Sequence, residues 1–163
     1  MAQVSAADVA KLRKMTGAGM MDCKKALEDA NGDYERAQEI IREKGKLIAS
    51  KRADRDATEG VVLSKVSADG KKGVVVCLAC ETDFVAKNND FIALANQVAD
   101  VALNSFPADL AALNALPLNG KTVAEEVAEK SGITGEKFNL AYFEKIEAGF
   151  CAPYIHTNKK LAT

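Results

Sequence analysis

The chain has 163 residues, 48% hydrophobic and 28% charged, which suits one soluble domain or two small ones. Its 22 Lys and Arg against 23 Asp and Glu give a formal charge of -1, so no global field draws it to nucleic acid, and such a partner would need a local basic patch. No run approaches the roughly 18 apolar residues of a membrane-spanning helix, and Met1–Ala7 lacks the charged start and long apolar stretch of a secretory leader.

Ser5-Ala6-Ala7-Asp8 has the spacing of a capping box and opens a first helix with Val9, Leu12 and Met15 or Thr16 on its apolar side. Gly17-Ala18-Gly19 ends it, because glycine tolerates the left-handed backbone found after helices. Asp22 is read as the N-cap of a second short helix bearing Cys23, Ala26, Leu27 and Ala30. Asn31-Gly32-Asp33 closes that helix and caps a third, with Tyr34, Ala37, Ile40 and Ile41 on one face and Gly45 at its end. Met20 and Met21 are adjacent on one short turn and cannot easily both point inward, so at least one is expected to meet a partner.

Lys46–Thr58 is polar, mixed in sign and poor in apolar periodicity; it either extends the third helix or links two domains. The change of pattern at Glu59 favours a linker. Gly60–Val66 and Val74–Cys80 read as strands joined by a turn at Asp69-Gly70, with the second, apolar on both faces, central in its sheet. Glu81–Phe91 follows as a sharp strand-to-helix junction carrying Phe84. A large aromatic there is either a core staple or an exposed contact, and periodicity does not decide between them.

Phe91, Leu94, Ala95, Val98 and Ala102 define one face of a long helix over residues 90–104. Pro107, an Ala/Leu-rich helical turn and Pro117-Leu118-Asn119-Gly120 come next. Another helix, capped from Thr122, is expected to run through Lys130 and stop at Ser131-Gly132. Phe138–Glu147 alternates like a strand, and Phe150–His156 reads as a further strand confined to an edge by Pro153.

Cys77 and Cys80 have the CxxC spacing of metal and redox sites. Within a strand they point to opposite faces, and no second pair with ligand spacing exists, so buried reduced thiols are expected rather than zinc. His156 is the only histidine, and there is no GxSxG elbow, Walker-A sequence or paired-carboxylate signature. These residues suit a binding module better than an enzyme.

Two stretches carry a resemblance. Thr82-Asp83-Phe84-Val85-Ala86-Lys87-Asn88 resembles the signature of the elongation factor Ts family, the nucleotide-exchange factors of elongation factor Tu. Leu12-Arg13-Lys14-Met15-Thr16-Gly17-Ala18-Gly19-Met20-Met21-Asp22-Cys23-Lys24-Lys25-Ala26-Leu27 is similar to a second signature of that family. The resemblance covers nearly the whole chain and is weakest from Ser105 to Gly120. It implies an α+β fold: a three-helix, ubiquitin-associated-like domain over 1–45, a linker over 46–58, and an α+β core with antiparallel strands over 59–163. Relatives of this family continue beyond Thr163, so a C-terminally truncated chain is expected, with an incomplete second core subdomain and a frayed edge strand at Lys160–Thr163.

The same resemblance implies a cytoplasmic guanine-nucleotide exchange factor with no catalytic chemistry and no cofactor. Its partner would be elongation factor Tu, GDP-bound and nucleotide-free, with no direct nucleic acid and no membrane; a homodimer of the full-length protein stays open. It would loosen GDP by disturbing magnesium and phosphate coordination. Phe84 would be the wedge, Asp83 its support, and Thr82 and Val85 part of the same contact, while Met20, Met21 and Lys24 would dock through the N-terminal module. His156 matches a family position near the partner, although Thr157-Asn158-Lys159-Lys160 departs from the usual Gly-rich continuation. The alternative is that the three helices, which resemble a ubiquitin-associated domain, form an interaction module of that type fused to an α+β domain of structural role.

Overall fold

The computed structural model describes residues 4–163; Met1, Ala2 and Gln3, part of the stretch read for a leader, lie outside the described residues. The described chain divides into two compact units, one up to Asp54 together with Ala128–Gly135, the other Arg55–Val127 with Glu136–Thr163.

The first unit is built on α1 (Ala6–Thr16), α2 (Met20–Asp29) and α3 (Tyr34–Lys51). The capping box forms as expected. The Asp8 amide donates to Ser5 Oγ at 3.2 Å and the Ser5 amide to Asp8 Oδ2 at 3.1 Å, which satisfies two amides that the first helical turn leaves free. Tyr34 at the start of α3 donates its hydroxyl to Asp8 Oδ1 at 2.7 Å, so one carboxylate caps α1 and ties α3 to it. Leu12, Cys23, Leu27 and Ala37 are buried in the shared core with Val9, Ala26 and Ile41. Gly17 ends α1 with φ of 76°, and the Asp33 carboxylate caps α3 through the Glu35 and Arg36 amides at 2.9 and 3.1 Å.

Two expectations for this unit are corrected. Gly19, not Asp22, occupies the N-cap of α2; Asp22 sits in the first turn, where its charge favours the helix N-terminus, and it pairs with Lys44. The third helix does not stop at Gly45 but runs to Lys51, so the first half of the segment read as linker is helical.

The second unit is α+β. β1 (Glu59–Val66) and β2 (Lys72–Cys80) form the expected antiparallel hairpin, with Gly70 at φ of 70° in its turn. α4 (Asp83–Ala86) and α5 (Asn89–Ser105) follow, then α6 (Leu110–Ala115) and a two-residue ribbon of β3 (Pro117–Leu118) with β4 (Lys121–Thr122). α7 (Val123–Thr134), whose residues from Ala128 onward belong to the first unit, and β5 (Asn139–Glu147) complete the elements. β2 is central in the order β1-β2-β5, as its two apolar faces required. Cys77 opposes Tyr142 while Leu78 opposes Leu140, so Ala141 is an extra residue on β5 and the bulge leaves β2 itself regular. Leu63, Val74, Val76, Leu78 and Cys80 thus share one sheet face, and Phe91, Leu94, Ala95, Val98 and Ala102 of α5 are buried in the same core.

Three further differences have physical causes. α7 passes through Ser131-Gly132 and ends at Thr134. Gly132 is a contact residue rather than a stop: a Cβ there would lie 2.1 Å from the Gly45 carbonyl oxygen. Phe150–His156 forms no strand; the chain turns back, with Tyr154 and Thr163 exchanging amide-to-carbonyl bonds at 2.9 Å each. Lys160–Thr163 is accordingly paired with preceding residues rather than frayed, and the Val62 amide of β1 donates to the Lys159 carbonyl at 2.7 Å.

All four thiols are free, Cys80 buried in the core and Cys77 half-buried on the sheet's other face. Among the described residues there is no group of three His, Cys, Asp or Glu placed to hold a metal, and no helix long and apolar enough to cross a membrane.

Candidate functional site: the junction of β2 and α4

At the end of β2, Cys80 points into the core and the chain turns into a single helical turn. Thr82 caps that turn, its Oγ1 accepting from the Val85 amide at 3.4 Å. Successive helical positions differ by about 100°, so residues two apart face nearly opposite ways. Ala86 is buried in the core and Val85 packs partly against it; Phe84 therefore points away and is 83% exposed. The core-staple reading of Phe84 is excluded by this placement. Asn88 then caps α5 through the Asp90 amide at 2.7 Å, and Phe91 is buried, meeting Phe138 edge-on at 4.9 Å between ring centres. The exposed aromatic thus stands on a turn anchored at both ends.

Charge surrounds it. Lys87 donates to Asp83 Oδ2 at 2.6 Å, and that bond holds the Asp83 carboxyl below the usual carboxylate range. The Lys160 ammonium, bonded to Glu59, lowers Asp83 in the same direction, and Glu59 raises the pKa of Lys160 in turn. Behind the turn, Thr82 donates both its hydroxyl and its amide to Glu136, at 2.7 and 3.1 Å. The Lys137 amide donates to Glu81 Oε1 at 2.6 Å, and Arg55 pairs with Glu81 Oε2 at 3.1 Å. Burial, with the Glu136 charge nearby, pushes the Cys80 thiol up to about 11. A thiol so raised is not a nucleophile at neutral pH.

The other sequence-predicted residues lie apart from this cluster. Met20 and Met21 are 53% and 75% exposed on the first turn of α2, so both are accessible; Lys24 is exposed and pairs with Glu28 at 3.8 Å. These belong to the first unit. His156 is exposed in the C-terminal turn-back, its Nδ1 at 2.7 Å from the Tyr154 hydroxyl. Glu136 was not singled out from the sequence, and Glu81 and Lys160, though named there, were given no part in holding the junction. Each is a single charge far along the chain from its partner, and no periodicity marks such a pair.

A family model described as "Elongation factor TS" matches residues 81–163, beginning at this junction. Among curated proteins, the chain is 49% identical over 162 residues to elongation factor Ts of Christiangramia forsetii, an alignment covering 99% of this chain and 58% of that protein. It is 51% identical over 161 residues to elongation factor Ts of Porphyromonas gingivalis, covering 98% and 58%, and 47% identical over 163 residues to that of Flavobacterium psychrophilum, covering 100% and 59%. The chain thus spans less than two thirds of the length of these relatives. On the match at this junction and the identity running along the whole sequence, the chain belongs to the elongation factor Ts family.

Proposed function

We propose that this chain binds elongation factor Tu and promotes release of its GDP, with Phe84 as the wedge. The observation that carries the reading is a phenylalanine 83% exposed on a helical turn whose next two residues are anchored in the core. Exposed aromatics held by a stiff base are good hot-spot residues, because little conformational freedom is lost when they enter a pocket.

A GTPase holds its nucleotide through backbone amides around the phosphates and a magnesium ion bridging them. An exchange factor acts only by binding the nucleotide-free state more tightly than the nucleotide-bound one. Insertion of Phe84 beside the phosphate site would displace the elements that coordinate magnesium and loosen the diphosphate. Asp83 supports the contact by its charge and Thr82 by fixing the turn. Met20, Met21 and Lys24 offer a second docking surface on a ubiquitin-associated-like first domain, and since α3 runs to Lys51 only the later part of 46–58 is left to connect it to the core. His156 contributes at the edge of the interface. No covalent chemistry is required of this chain, and it would act in the cytoplasm.

The direct test is release of labelled GDP from elongation factor Tu with and without this chain. Faster release in proportion to added chain supports the reading; a rate independent of the chain rejects it.

A further inference from the structure

We infer that Glu136 and Glu81 are positioning residues for the Phe84 contact, clamping the junction of β2 and α4 from two sides. The inference rests on the reading of Phe84 as a partner contact. Its basis is a reciprocal exchange of hydrogen bonds between two short segments. Glu136 accepts the amide and the hydroxyl of Thr82, and Glu81, the residue before Thr82, accepts the amide of Lys137, the residue after Glu136. Each segment thus supplies a carboxylate to the other's backbone. The Lys137 ammonium adds a bond to the Arg55 carbonyl at 2.8 Å, and Arg55 pairs with Glu81, so the network closes on itself. One residue further on, Phe138 meets Phe91, the first buried residue of α5.

A four-residue helix has too few internal bonds to hold its own direction. α4 is such a helix, and its cap, Thr82, is the residue the clamp holds. Charge-assisted bonds to backbone amides are short and strong, which suits the task. The clamp holds the cap of the turn, two residues before Phe84, and would act by fixing the direction in which the ring leaves the protein.

The test uses the whole chain with two readouts, amide hydrogen exchange at Thr82–Ala86 by NMR and release of labelled GDP from elongation factor Tu. In Glu136→Ala the Thr82 amide should exchange about ten-fold faster or more, and GDP release should slow by about three- to ten-fold, as expected for losing bonds to a charged group. Lys145→Ala, which removes a lysine stacked on Phe106 elsewhere in the same unit, sets the comparison for a merely structural loss and should leave both readouts unchanged. Glu136→Gln keeps the volume and one accepting oxygen and should fall between parent and Glu136→Ala; if the alanine variant does not fold, the glutamine variant carries both readouts. Unchanged Thr82 protection, or release equal to the parent's, overturns the clamp. If the parent chain itself does not accelerate release, the proposed function fails instead, and Thr82–Ala86 exchange alone decides whether Glu136 positions the junction.

Discussion

Asp8 shows how much one side chain can hold together in a small helical unit. The Ser5 hydroxyl, then the Tyr34 hydroxyl, hold its carboxyl below the ordinary value of 3.8. A carboxyl depressed on folding adds stability that is present above its unfolded pKa and is lost as pH falls through the folded value. The melting temperature should therefore drop more steeply below about pH 4 in the parent than in Asp8→Asn, which cannot titrate there. Equal slopes in thermal melts across that range would remove Asp8 from the account. Phe84 poses the opposite question at the same scale. Its identity and neighbours were legible in the sequence, but its direction was not. Whether a residue at a strand-to-helix junction points in or out depends on where the helical turn begins. That depends on the Thr82 cap and on Glu136, 54 residues away.

Among the elements, apolar patterning was reliable, whereas a glycine was an ambiguous sign: Gly17 does end α1, but two others read the same way do not end helices. The hairpin of β1 and β2 follows from two apolar runs joined at Asp69-Gly70, the central place of β2 from its two apolar faces, and the buried face of α5 from helical spacing. Gly45 and Gly132 were both read as helix ends, because glycine inside a helix costs about 1 kcal/mol relative to alanine. Both are helix interiors that approach each other, a use of glycine invisible until both helices are placed. The contact is asymmetric. An added Cβ on Gly132 would meet Gly45 backbone at 2.1 Å, whereas one on Gly45 would meet the Glu129 carbonyl oxygen at 3.5 Å, an ordinary contact. Gly132→Ala should then destabilise by about 1–3 kcal/mol as an overpacked site, while Gly45→Ala should be neutral or stabilising by up to about 1 kcal/mol. Denaturant melts of the two variants check this, and equal effects would contradict the close approach. Phe150–His156 failed as a strand for a related reason: Pro153 has no amide to donate, and a turn near Lys159, at φ of 54°, sends the chain back along itself.

At the scale of the whole molecule, the α+β class and the family were legible because they rest on long stretches, whereas the charge clamps were not because each joins residues far apart in sequence. The proposed division into a first domain, a connecting segment and a core has a direct check. α3 protects Lys46 and Lys51 by its helical backbone, so limited trypsin digestion should cut first after Arg52, beyond the helix, and leave a stable C-terminal piece. Even resistance from Lys46 to Arg55 would mean that no connecting segment exists. Under the proposed function, the exposed Phe84 is the working part of this chain. That role is tested most directly by comparing Phe84→Ala with the parent in GDP release from elongation factor Tu and in thermal stability. Phe84→Ala should keep stability within about 1 kcal/mol of the parent, as for a surface substitution, and slow exchange by about ten-fold or more, as for loss of an aromatic hot spot. Unchanged exchange, or a loss of exchange matched by a stability loss of about 3–5 kcal/mol as for an emptied core site, would contradict that role.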